Sequence, residues 1–182
     1  MNRQRTRQAL FLAAVLVAGM QTAAAQNSII EELRKQWEAT GDKIVTIAEA
    51  VPEDKYDFKA TPEVRSFLDI LVHLVSENYM FMGFAAGTGS PVDRSSLNDL
   101  QSRAEILQAL TESYDYGDKV LADLNDQKLL DMVPFFRGRQ VPRLAAIMGN
   151  IKDNHGHYGN LVVYMRLNGL VPPRPAPRPR QQ

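Results

Sequence analysis

Four long stretches with helical spacing of apolar residues constrain most strongly what this chain can fold into. Each stretch opens at a capping residue or a proline and closes at a proline, a glycine or an asparagine, which are signals for the ends of a helix. The stretches cover residues 28–51, 61–87, 102–125 and 141–169. Little strand-like alternation lies between them. The sequence therefore predicts an all-α protein whose helices, each of about 20 residues, form an antiparallel four-helix bundle.

Two of the connections leave a local question open. The second helix has two candidate starts, at Thr61-Pro62-Glu63 or later at Ser66, which can act as a cap. The third helix starts more clearly, because Ser102 and Glu105 form a capping box. Before the fourth helix, Gly138 marks a tight turn that belongs either to a plain loop or to a short hairpin.

The first 25 residues have the pattern of a secretory signal peptide. A start with three arginines is followed by an apolar segment, residues 9–20, and by three consecutive alanines at the expected cleavage site. We expect cleavage before Gln26 and a periplasmic or secreted location. The apolar segment is shorter than the about 20 residues that span a membrane, so we expect no stable membrane insertion after cleavage. An uncleaved N-terminal anchor is the alternative.

The lack of cysteine and the charge balance limit how the mature chain is built and what it binds. Without cysteine the fold has no disulfide, so its stability comes from packing. The length suits one domain, at residues 26–171. Six of the 21 basic residues lie outside this domain, which leaves it 15 basic against 21 acidic side chains. Nucleic-acid binding needs a basic surface, and we therefore expect no nucleic-acid partner.

Residues 172–182 form a tail rich in proline and arginine. Its prolines are incompatible with a helix. We expect the tail to be extended and disordered. Its three arginines offer a weak contact with an anionic surface as the functional alternative.

All three histidines lie in the second and fourth predicted helices, where they point to a metal site. Asp153 and His157 are one turn apart and project from the same face of the fourth helix. His155 lies about 200 degrees around the helix from both, so it cannot share a metal with them. Together with His73 from the second helix, Asp153 and His157 make a set of two histidines and one carboxylate.

Such a set suits a divalent ion, namely zinc, nickel, iron or manganese, and leaves coordination positions open. The alternative is purely structural. In that case His155 is a hydrogen-bonded core residue, while Asp153 and His157 are a pair on the helix surface. Spacing alone does not decide between the two interpretations.

Two segments of the sequence carry a family resemblance. Residues 157–166, which read HYGNLVVYMR, and residues 169–173, which read GLVPP, resemble the final helix of DinB-like (DinB/YfiT-like) four-helix proteins. Residues 51–67 are similar to the family's approach to its second helix. The resemblance covers nearly the whole mature chain and implies the DinB-like fold.

The resemblance also implies a metal site. In the family, one histidine on the second helix and two histidines one turn apart on the fourth bind a divalent metal. His73 matches the first and His157 the last, while Asp153 stands in place of the middle histidine. A carboxylate at this place changes affinity and metal preference. Glu77, one turn after His73, is then a further ligand or a partner of His73.

The activities that the resemblance implies are broad, and they include metal-dependent thiol transferases and thiol-dependent maleylpyruvate isomerases. An exported protein would not meet a cytosolic thiol, which weighs against these. We expect a metal-dependent hydrolase or transferase that acts on a small-molecule substrate and uses the ion as a Lewis acid. The competing hypothesis is a non-catalytic exported helical module that binds a small ligand or a protein partner, for example as a homodimer through exposed helix faces.

Overall fold

The computed structural model describes residues 28–178, and in this part of the chain four α-helices account for most of the structure. They are α1 (Ser28–Ala50), α2 (Phe67–Ala86), α3 (Arg103–Ala122) and α4 (Arg143–Leu167). A short antiparallel hairpin, β1 (Met132–Pro134) with β2 (Gln140–Pro142), precedes α4 and pairs Val133 with Val141. Short 3-10 turns at Glu53–Lys55, Arg94–Asp99, Lys128–Leu130 and Phe136–Gly138 complete the connections.

Side-chain caps set the starts of the two central helices. Ser66 accepts a hydrogen bond from the Asp69 N–H, and the Asp69 carboxylate accepts one from the Ser66 N–H, so α2 starts after Ser66 and not at residues 61–63. Ser102 and Glu105 form the same reciprocal box at the start of α3. Both boxes satisfy amide donors that a helix leaves without a partner in its first turn. The predicted box at Ser102 and the hairpin alternative are confirmed.

The helices do not follow one another around the bundle in chain order. Helix α1 packs against α3 and α4, and α2 packs against the same two helices, so consecutive helices α1 and α2 lie diagonally opposite each other. Arg34, near the start of α1, donates to the Leu121 carbonyl near the end of α3, so these helices are antiparallel. Tyr164, near the end of α4, donates to the Arg65 carbonyl just before α2, which makes that pair antiparallel too.

The other two neighbouring pairs are parallel, which corrects the expectation of a uniformly antiparallel bundle. On α1 and α4, Thr40 lies beside His155, and Lys43, almost one turn further on, lies over the Tyr158 ring. The physical reason lies in the connection between α2 and α3. Its 16 residues, 87–102, can span about 50 Å, whereas a helix of 20 residues is about 30 Å long, so the chain returns to the same end before α3 starts.

The core is centred on Trp37 of α1, which is fully buried. Its indole N–H donates to the Tyr114 carbonyl at 3.2 Å, and the two rings pack with centroids 4.9 Å apart. Gly117 makes room for the indole, because a Cβ at this position would lie 2.2 Å from Trp37 Cζ2. The seam between α1 and α3 is therefore closed by one large ring against a glycine.

The described part of the tail, residues 172–178, has neither helix nor strand, as expected. It lies on the bundle, where Arg178 is only 4% exposed and contacts Asp42 and Asp118. The predicted signal peptide at residues 1–25 and the last tail residues, 179–182, lie outside the described residues. Within residues 28–178, none of the helices is both long and apolar enough to cross a membrane.

Candidate metal centre

His73, Glu77 and His157 meet where α2 and α4 pack against each other. His73 and Glu77 are one turn apart on α2, and the antiparallel α4 brings His157 against both. His73 Nε2 lies 2.8 Å from Glu77 Oε1, and His157 Nε2 lies 3.7 Å from Glu77 Oε2. Each residue offers one potential ligand atom, and these three atoms lie within 4.8 Å of one another. The carboxylate therefore bridges the two imidazoles.

The group is largely withdrawn from solvent. The Glu77 side chain is 9% exposed and the two imidazoles are 17% and 16% exposed, with His73 the more open. Among the described residues, neither Glu77 Oε2 nor His157 Nδ1 has a hydrogen-bond partner. Buried polar atoms normally have hydrogen-bond partners. A buried carboxylate oxygen without one is suited to coordinate a cation.

The electrostatics keep His157 in the form that binds metals. Burial lowers the pKa of His157 below its ordinary value of 6.5, and the Glu77 carboxylate opposes this shift. The charges of His73 and Arg65 lower the pKa of His157 further. A lowered pKa leaves the imidazole neutral at neutral pH, with a lone pair available for coordination.

Asp153, predicted as a ligand, is exposed on α4 and does not belong to the compact group. It is near enough to raise the pKa of His157, so the two share one face, as their spacing predicts. Its role as a ligand stays a prediction. The structure places the carboxylate of Glu77, rather than that of Asp153, in one group with the two histidines.

His155 is exposed, which corrects the interpretation of this residue as part of the core. Its Nδ1 donates to the Ile151 carbonyl at 2.9 Å, and its ring lies 3.5 Å from the Thr40 hydroxyl oxygen. Two core-facing positions in this part of α4 are occupied by amides, Asn150 and Asn154, which an apolar pattern does not detect.

A buried polar network packs beside the histidine group and joins three helices. Asn154 of α4 donates to Asn78 Oδ1 of α2 at 3.1 Å and accepts a hydrogen bond from the Tyr114 hydroxyl of α3. Asn78 in turn donates to the Ser113 hydroxyl at 3.0 Å. Burial raises the pKa of Tyr114, and the nearby Glu77 carboxylate adds to the increase. The network thus fixes the turns of α2 and α4 that carry Glu77 and His157.

A pocket of about 310 Å³ opens next to the group. His157 forms part of its wall, and Arg65, Asn160 and Tyr164 supply its polar lining. Val64 and Ile70 are among its apolar residues. A small molecule in this pocket would lie against the imidazole of His157.

The three residues fit a divalent ion. Ligand distances of about 2.0–2.2 Å place two ligands of one ion at most about 4.4 Å apart. The two distances from Glu77, 2.8 and 3.7 Å, are already in that range. Two imidazoles and one carboxylate are typical of catalytic zinc and of non-haem iron, and such sites leave positions open.

The sequence of this protein matches the DinB family over residues 20–176. Two solved structures are similar to it. A DinB-like protein from Bacillus cereus ATCC 10987 has a TM-score of 0.65 and 19% identity, with 83% of this chain and 99% of that chain covered. A DinB-like protein from Bacillus subtilis has a TM-score of 0.64 and 18% identity, with 82% of this chain and 99% of that chain covered. Among curated proteins, no significant match was found. Since the family match spans most of its length, the chain belongs to the DinB family.

Proposed function

We propose that this protein is an exported, metal-dependent hydrolase or transferase that holds a divalent ion on His73, Glu77 and His157. The observation that carries the proposal is the buried Glu77 carboxylate between two imidazoles, with one oxygen that lacks a hydrogen-bond partner among the described residues. Zinc, iron, nickel and manganese all accept this set of ligands. An ion held by these three residues would supply Lewis acidity toward an oxygen of the substrate.

The chain's own side chains account for binding and orientation. The Arg65 guanidinium and the Asn160 amide line the pocket beside His157 and suit a small substrate with an anionic or polar oxygen group. Tyr164 holds the segment that carries Arg65, because its hydroxyl donates to the Arg65 carbonyl at 2.6 Å. Asp153, exposed one turn before His157, remains available as a proton acceptor or a further ligand.

The test is metal analysis of protein purified without an affinity tag. We expect close to one ion per chain in the native protein and its loss in His73→Ala and His157→Ala. His155→Ala is the matched control, because this histidine is also on α4 but lies outside the group. It should keep its metal. Native protein that takes up no zinc, iron, nickel or manganese after reconstitution refutes the metal-dependent enzyme and leaves the non-catalytic binding module.

A further inference from the structure

The groove between α1 and α3 holds a buried arginine from the C-terminal tail. It lies on the seam opposite the one that carries the histidine group, since α1 with α3 and α2 with α4 are the two antiparallel pairs. The Arg178 side chain is 0% exposed. An ion this deeply buried is tolerated only when its partners are built around it.

Both terminal nitrogens of the Arg178 guanidinium have hydrogen-bond partners, while its Nε has none among the described residues. Nη1 donates to Asp42 Oδ1 and to the Glu38 carbonyl, both at 3.3 Å, and Nη2 donates to Asp118 Oδ2. The guanidinium lies over the face of the Tyr114 ring, with its carbon 5.1 Å from the ring centroid. Two carboxylates, a carbonyl and an aromatic face match the planar fork of arginine, whereas the compact ammonium of lysine cannot reach them together.

The shape of the groove is also specific. A Cβ on Gly41 would lie 2.8 Å from Arg178 Nη1 and 2.9 Å from Tyr114 Cδ1, so a side chain there would occupy the place of the guanidinium. Gly41 lies in the middle of α1, where glycine costs about 0.5–1 kcal/mol relative to alanine. The space it creates is therefore part of the site.

The groove also forms hydrogen bonds with the backbone of the tail. The Ala176 N–H donates to the Thr46 hydroxyl at 3.1 Å, and the Arg178 N–H donates to Asp42 Oδ1 at 3.0 Å. Thr46 and Asp42 are one turn apart on α1, while Ala176 and Arg178 are alternate residues, which point the same way in an extended segment. Prolines flank them and keep the segment extended, which lowers the entropy lost on binding.

We propose that this groove is a peptide-binding site for an arginine in an extended, proline-flanked segment, and that Arg178 occupies it in cis. When the tail does not fill it, the same groove takes a segment of this chemistry from another polypeptide. The site involves none of the residues assigned to the metal centre. Its ligand is an arginine whose guanidinium, own N–H and the N–H two residues before it are all bound.

The test uses the full chain with Arg178→Ala and a synthetic peptide of residues 171–178, VPPRPAPR, with an amidated C-terminus. Isothermal titration should show one peptide bound per Arg178→Ala chain, and an apparent affinity at least about tenfold weaker for the native chain, where the tail competes. A peptide with Arg178→Lys should bind at least about tenfold more weakly than the arginine peptide. Adding Asp42→Asn to the Arg178→Ala chain should weaken binding by a similar factor of about ten.

Arg174→Ala is the matched control, because Arg174 has the same prolines beside it but is exposed. This variant should bind peptide no better than the native chain. If Arg178→Ala does not fold, as judged by circular dichroism, Arg178→Gln replaces it, since its amide can still donate to Asp42. Equal binding of arginine and lysine peptides, or no gain over the native chain, overturns the proposal.

Discussion

Glu77 and Asp153 offer the sharpest test of how this metal centre is built, because both are carboxylates near His157 and only one lies between the histidines. We compare Glu77→Gln with Asp153→Asn, which remove one charge each and keep the shape of the side chain. The Glu77 oxygens lie 2.8 and 3.7 Å from the two imidazole nitrogens, whereas Asp153 is exposed. In the proposed metal centre, the first change deletes a ligand and the second removes a partly screened surface charge.

The expected magnitudes follow from these positions. Loss of a residue that merely supports a ligand typically lowers metal affinity by about 10–100-fold, so loss of the Glu77 ligand should exceed about 100-fold. This corresponds to more than about 2.7 kcal/mol. Exposed charge pairs contribute about 0.2–1 kcal/mol, so Asp153→Asn should lower affinity by less than about fivefold. Competition with a chromophoric chelator measures both changes.

Stability without metal separates a metal site from a structural ion pair. Without metal, the native protein buries a carboxylate of which one oxygen has no hydrogen-bond partner within residues 28–178, and a neutral amide removes that burial of charge. We therefore expect metal-free Glu77→Gln to unfold at a temperature no lower than the metal-free native protein, and the order to reverse when metal is added. A lower unfolding temperature without metal, with unchanged metal affinity, would refute the reasoning and make Glu77 a structural partner of His73.

Three further results are expected. Gly117→Ala should destabilise the fold by about 3 kcal/mol in urea titrations, because the new Cβ overlaps Trp37. Gly159→Ala, in open space on α4, should instead stabilise the fold by about 0.5–1 kcal/mol. An unchanged stability of Gly117→Ala would contradict this packing. The hydrogen bond from the backbone N–H of Ser102 lowers the pKa of Glu105 in the folded protein. The Glu105 carboxylate therefore contributes to stability above its ordinary pKa, and this contribution is lost as the pH falls through the lowered pKa of the folded protein. Glu105→Gln should thus lower the urea midpoint at pH 7 and have less effect near pH 3; an equal effect at both pH values excludes this cause. N-terminal sequencing of the mature protein should begin at Gln26, and an intact initiator methionine on soluble cytoplasmic protein excludes export.

The helices were predictable because their ends are chemically marked. The capping box at Ser102 and the left-handed Gly87 after α2 are local features, and local features are visible in one sequence. The diagonal placement of α1 and α2 was not visible. It depends on which helices pack together, and apolar stripes of similar width do not specify their neighbours.

Two of the three residues in the histidine group, His73 and His157, were predicted from their type and from the family resemblance, while Glu77 was expected only as an additional ligand or partner. Its spacing to His73 is the same four residues that drew attention to Asp153 and His157. Sequence spacing does not determine how each helix is rotated about its own axis in the bundle. Asn78 and Asn154 set that rotation here through a direct hydrogen bond in the core.

The contacts of the tail could not be predicted for a related reason. Its Pro-rich composition correctly excludes a helix. The contact with the bundle depends on one charged side chain. Arg178 finds its partners on residues that precede it by 136 and 60 positions. No local pattern in the tail reports those partners.

That separation has a consequence for how the chain matures. Synthesis proceeds from the amino end, so α1, α3 and the carboxylates of Asp42 and Asp118 all exist before residue 178 has been added. Closing a loop of 136 residues is also among the entropically most demanding contacts that the fold makes. A groove that α1 and α3 form before residue 178 arrives is open to a proline-flanked arginine of another polypeptide, which can then enter it first.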